Sequence, residues 1–151
     1  MYPDYAKKSA MEALEGYRDL THQAPSLGYG WASIADIRAE QLLFDVETFV
    51  ALENSVRLNP VEDLTQRRII RSGIKHWNKW PEDSKRLIRE TIENALQTDT
   101  TLQSYPITSF VYDVALTNKW EDELETFLTT DWLRKTFNQR KRYRAEKWRI
   151  K

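Results

Sequence analysis

ALENSVRLNP, residues 51–60, reads as the last turns of an amphipathic helix closed at Pro60, and two other stretches end in nearly the same way. Residues 13–25, ALEGYRDLTHQAP, close on Pro25, and residues 92–100, IENALQTDT, close on Thr100. The two prolines are 35 residues apart, and Thr100 follows Pro60 by 40. A period in this range marks an array of helical hairpins, in which one unit leaves an apolar face that must be buried against its neighbours. Such an array implies binding through a surface of stacked helices.

Around these tails the chain reads as helix. Only four glycines occur, at 16, 28, 30 and 73, and the five prolines sit at element boundaries, which disfavours a Gly-rich phosphate loop and a many-turned β fold. Apolar spacing predicts a first helix over about 4–22 and a second over about 30–43, with Trp31, Ile34, Ala35 and Leu42 on one side. A third, over about 45–59, has Asp45 as N-cap. A fourth covers about 62–79, and a fifth starts with Pro81 as its first helical residue. In the fifth, Leu87, Ile88, Thr91, Ile92, Ala95 and Leu96 form a stripe wide enough to meet helices on two sides. A sixth opens at Pro106, a seventh runs from Trp120 to Leu128, and a basic terminal helix begins near Trp132. Paired off, these make about three hairpins, with the first helix an unpaired half-unit.

At 151 residues the chain is expected to form one domain, with residues 1–130 as the repeat body and 131–151 as its basic terminal helix. A chain of that size buries about 68–70% of its unfolded surface without disulfides or structural metal. Cysteine is absent, which removes thiol chemistry and cysteine zinc sites. With a mean hydropathy of −0.70 and no long apolar run, a spanning helix is not expected. The start, MYPDYAKK, lacks a signal-peptide core. A native start at Met1 implies the cytoplasm, whereas an upstream anchor or export signal would make the protein periplasmic or membrane-tethered. The net charge of zero hides an asymmetry: residues 134–151 carry +8, and the preceding residues, with 14 basic against 22 acidic side chains, carry −8.

The stretch from Trp31 to Pro60 resembles a tetratricopeptide repeat. Trp31, Ile34 and Ala35 match that family's first helix, and Ser55 with Leu58, Asn59 and Pro60 matches the close of its second. Arg38 stands at an expected aromatic position and Leu42 where the family prefers glycine. Later units depart further, with Gln66 near the aromatic site and Thr100 in place of the proline. The resemblance implies a short right-handed α-solenoid that binds another protein without catalysis, in an all-α fold.

No catalytic constellation stands out. His22 and His76 lack the spacing of a metal site, no serine sits in a GxSxG elbow, and the carboxylates near Glu121–Glu125 read as a solvated face. Neither metal nor cofactor is expected, and a small helical enzyme is the third reading. Of the six tryptophans, Trp31, Trp77 and Trp120 are expected in the core, with Trp80 and Trp148 exposed. Arg67, Arg71, Lys75 and Lys79, with Arg68 beside them, recur at fourfold spacing and form one basic stripe. On the first helix of a hairpin this stripe would line the groove together with Asp36, and accept an acidic segment or terminal carboxylate of a partner. The alternative is a solvated face with an Asp63–Arg67 pair, although like charges along one face call for an anion or for acidic neighbours such as Asp36 and Glu40. In the tail, Arg140, Lys141, Arg142, Arg144, Lys147 and Trp148 are the candidates for contact with nucleic acid or an anionic membrane or polysaccharide surface, the second reading. The alternative for the tail is docking on the acidic body.

Overall fold

Asp45 accepts a hydrogen bond from the backbone N–H of Thr48 at 3.3 Å and starts a helix at Val46, as its sequence position predicts. The computed structural model describes residues 2–98 and 105–149, and these are all-α, with no strand among them. Thr100, which closes the third tail, and Lys151 of the basic tail lie outside the described residues. In order the helices are α1 (Tyr2–Gln23), α2 (Gly28–Glu40), α3 (Val46–Leu58), α4 (Asp63–Lys75), α5 (Glu82–Gln97), α6 (Ile107–Thr117), α7 (Glu121–Glu125) and α8 (Asp131–Arg149), with a 3-10 turn at Trp77–Lys79.

The ends of these helices explain where the sequence reading needs adjusting. Glu62 starts α4, its carboxylate accepting from the N–H groups of Leu64 at 3.1 Å and Thr65 at 2.7 Å. Pro81 is the N-cap of α5 rather than its first helical residue. The fourth helix stops at Lys75 instead of continuing to 79, because the backbone tightens into the 3-10 turn. That turn carries Trp80 inward. Expected at the surface, Trp80 is buried, donates its indole N–H to the Ser72 carbonyl at 3.2 Å and meets Phe44 edge-on at 4.9 Å. The seventh helix is also shorter than expected, since Thr126 turns its hydroxyl back onto the Glu123 carbonyl at 2.7 Å and competes with further helix.

Two hairpins turn alike. After α2 the N–H of Leu42 bonds to Ala39 and that of Leu43 to Arg38, with Leu42 at φ 59. This is the Schellman arrangement, whose left-handed position normally takes glycine. Leu42 stands there instead. After α6, Lys119 adopts φ 54 and the Trp120 N–H reaches back to Ala115. Arg38, at the other departure, is buried and ties the two helices of its hairpin, bonding Thr48 at 3.0 Å, Glu47 at 2.7 Å and Asp45.

Contacts follow the chain. α2 packs on α1, α3 and α4; α4 on α5 and α6; α5 on α3 and α6; and α6 on α7 and α8. The first helices of the hairpins thus lie side by side, and α8 takes a place beside α6. Within α5, Ile88, Ile92, Ala95 and Leu96 are buried, while Leu87 is half-buried. α4 approaches α5 closely at Gly73, where a Cβ would lie 2.6 Å from Cγ2 of Ile88.

Candidate functional site

On α4, Arg68, Arg71 and Lys75 face α2 with their charges already matched. Asp36, on α2, is 1% exposed, and its Oδ2 accepts from Arg68 at 2.9 Å and from Arg71. One turn along, Glu40 takes Lys75 at 2.5 Å on one oxygen and His76 Nε2 at 3.2 Å on the other. Arg68 also donates to the Tyr29 hydroxyl at 3.0 Å. Burial opposes its charge, but the bonds to Asp36 and Tyr29 outweigh burial and raise its pKa, while the bond from Arg68 lowers that of Tyr29. Asp36 and Arg71, like Glu40 and Lys75, are separated by one 35-residue period. Equivalent positions of successive hairpins therefore carry opposite charge.

Placement sorts the stripe. Asp36, expected on the partner-facing surface, is buried instead, because burial of a carboxylate between two guanidiniums satisfies one of its oxygens and joins α2 to α4. Its second oxygen, Oδ1, is buried without a partner among the described residues. Arg67 and Arg68 are mostly covered, whereas Arg71 and Lys75 keep 48% and 46% of their side chains in solvent. Lys79 lies in the 3-10 turn and is exposed.

Arg67 leads in the other direction, toward α6. It holds Asp63 at 2.7 Å, donates to the Tyr105 carbonyl at 2.8 Å and lies over the rings of Tyr105 and Phe110 at 5.4 and 5.1 Å. The Tyr105 hydroxyl then donates to Asp113 Oδ2 at 2.6 Å, and Arg140 of α8 closes on the same carboxylate at 2.8 and 2.5 Å. Burial and the bond to Asp113 push the Tyr105 hydroxyl up to about 12. For Asp113, burial would raise the pKa, but Arg140 and Tyr105 hold it below the usual carboxylate range. Asp113 kept ionised and bidentately bound fixes two helices; it is poorly suited to moving protons.

This chain of contacts joins the stripe to the tail, two surfaces that read as separate in the sequence. Tyr105 and Asp113 carry no motif. One signal was present: Asp113 is the only charged residue in ITSFVYDVALT, and a lone carboxylate on an apolar helix calls for a cation.

The tail candidates divide as well. Arg140 and Arg144 are committed to the body, Arg144 donating to the Asp113 carbonyl at 3.0 Å and to the Thr117 hydroxyl at 3.1 Å, and Lys141 reaches Glu125 at 3.5 Å. Arg142 and Lys147 are exposed, as is Trp148. Arg140, Arg144, Lys147 and Trp148 surround a pocket of about 300 Å³ with Tyr143 and Asp113. The tail is thus docked on the acidic body along one face of α8.

Compared with known protein families, with curated proteins and with solved structures, the chain matches none. Among the described residues, no helix is long and apolar enough to cross a membrane, and no group of three or more histidine, aspartate or glutamate side chains could hold a metal ion.

Proposed function

We propose that the protein is a tetratricopeptide-like array of helical hairpins, right-handed in its winding, that recognises another protein without catalysis. The observation that carries this reading is the side-by-side order of α2, α4, α6 and α8. A row of parallel neighbours offers one extended surface, which is how stacked-hairpin arrays bind. On that row Arg71, Lys75 and Lys79 combine charge with exposure, and suit an acidic segment or terminal carboxylate of the partner. A photo-crosslinking amino acid at Arg71 or Lys75 should capture the same protein, and one at the exposed Arg86 of α5 should not. Equal capture from all three positions would remove the reading.

A second reading has its own observation. Lys135, Arg142 and Arg149 recur every seven residues along α8, are exposed, and make no ion pair among the described residues. Such a row suits nucleic acid or an anionic membrane surface. Replacing all three with glutamine should abolish salt-sensitive binding to either while leaving the Asp113–Arg140 docking intact.

A further inference from the structure

α8 changes character at Phe137. Up to that residue it is anchored by the buried Leu133 and Phe137 and by Tyr112, whose hydroxyl donates to the Leu133 carbonyl at 3.2 Å. From Asn138 to Arg149 no side chain is buried. This second half meets the body through polar contacts: Arg140 on the Asp113 carboxylate at 2.8 and 2.5 Å, Arg144 on the Asp113 carbonyl and the Thr117 hydroxyl, and Lys141 on Glu125 at 3.5 Å. Charge pairs that water reaches hold weakly, and they yield to a competing anion.

The side chains of this segment indicate which anion. Residues 140–149 hold Arg140, Lys141, Arg142, Arg144, Lys147 and Arg149 against Glu146. Interleaved with them, Tyr143 and Trp148 are 54% and 66% exposed, and both line the pocket of about 300 Å³ beside Arg140, Arg144 and Lys147. The Arg140 guanidinium stands over the Tyr143 ring at 5.5 Å. Cations combined with open aromatic faces suit a single-stranded nucleic acid, whose phosphates need charge and whose unpaired bases need rings to stack on. A duplex keeps its bases inside the stack. A membrane would need an apolar face, and that of α8, Leu133 and Phe137, is buried in the body.

Asp113 lines the same pocket and already holds the cation nearest the aromatic pair. We propose that the second half of α8 binds single-stranded nucleic acid, and that Asp113 competes with the phosphates for Arg140 and Arg144, so that binding draws the two arginines off α6. This deepens the second reading above and rests on it.

Anisotropy of a labelled strand of about 12 thymidines, set against a duplex of the same length, reads the binding at low salt. The native protein should prefer the single strand, and its Arg140 Nε–H resonance should shift as the strand is added. Tyr143→Ala with Trp148→Ala should weaken that binding about tenfold or more and leave the duplex unaffected. Asp113→Asn, shown folded by circular dichroism, should bind the strand about threefold more tightly, since it removes the competing pair. Glu125→Gln, which frees the exposed end of Lys141, should move in the same direction. Asp122→Asn makes the same change in net charge at an exposed carboxylate of α7, and should not. The proposal is overturned if the single strand binds no better than the duplex, if phosphatidylserine vesicles bind and the strand does not, or if Asp113→Asn and Glu125→Gln bind like Asp122→Asn. Binding that is unchanged in the Asp113 and aromatic variants, yet lost when Lys135, Arg142 and Arg149 become glutamine, overturns it and leaves the second reading standing. No binding to nucleic acid or vesicles removes both.

Discussion

Replacing Asp36 with alanine tests whether the basic stripe is held by its own chain. The carboxylate is 1% exposed, and its removal leaves Arg68, with 27% of its side chain in solvent, facing a space shaped for an anion. Leaving a fully buried charge without its partner costs about 3–5 kcal/mol. Here the cost is smaller, because Arg68 keeps Tyr29, Arg71 can turn to water, and the buried, unpartnered Oδ1 disappears with the carboxylate. A loss of about 2 kcal/mol is expected, or about 4–8 °C in melting temperature for a chain of this size. Arg71→Ala leaves Asp36 on Arg68 and removes one half-exposed pair, costing about 1 kcal/mol or less. Because the two residues touch, the double variant should be more stable than the sum of the single losses implies, by about 0.5 kcal/mol or more. Urea unfolding of the four proteins measures all three terms. If Asp36→Ala unfolds within about 0.5 kcal/mol of the native protein, the cluster is not holding α2 to α4 and the charge matching is incidental.

Leu42→Gly should stabilise the protein by about 1 kcal/mol, because the left-handed site costs an L-residue about 1–2 kcal/mol and glycine loses part of that gain in unfolded-chain entropy; thermal melting will show it. Gly73→Ala should do the reverse despite alanine's better helix propensity, losing about 1–3 kcal/mol as its Cβ is driven into Ile88; a neutral or higher denaturation midpoint contradicts the close approach. Tyr105, raised to about 12, favours folding below the ordinary tyrosine value of 10.0, and this contribution should fade as pH climbs from there through 12; Tyr105→Phe should flatten that part of the stability profile. Asp113 works at the other end, its depressed pKa stabilising the fold above the ordinary carboxylate value of 3.8 and losing that effect as pH falls through the lower folded value; Asp113→Asn should show less acid sensitivity in a pH series of denaturation curves.

Most of the fold was readable because it depends on local rules. Asp45 caps α3 through its own third residue, and the stripe from Ile88 to Leu96 is a matter of helical spacing. The Asp63–Arg67 pair was readable from fourfold spacing, and Asp36 and Glu40 were visible as acidic neighbours of the stripe. Trp80 was misplaced at the surface, since a tryptophan before Pro81 reads as loop until the 3-10 turn carries it to Ser72. The link through Tyr105 was hidden for a related reason: Arg67 to Tyr105 spans 38 residues and Asp113 to Arg140 spans 27, and neither separation follows the repeat. Glu62 escaped because glutamate is not a usual N-cap, although its longer side chain reaches both N–H groups.

The opposite charges at equivalent places in neighbouring hairpins carry a rule of assembly. Were the first hairpin duplicated, Asp36 and Glu40 of one copy would meet Asp36 and Glu40 of the next; were the second duplicated, Arg71 and Lys75 would meet themselves. The contact between α2 and α4 therefore favours this pairing over a copy of either helix against itself. The charge difference between α2 and α4 thus acts as a numbering system for this one contact.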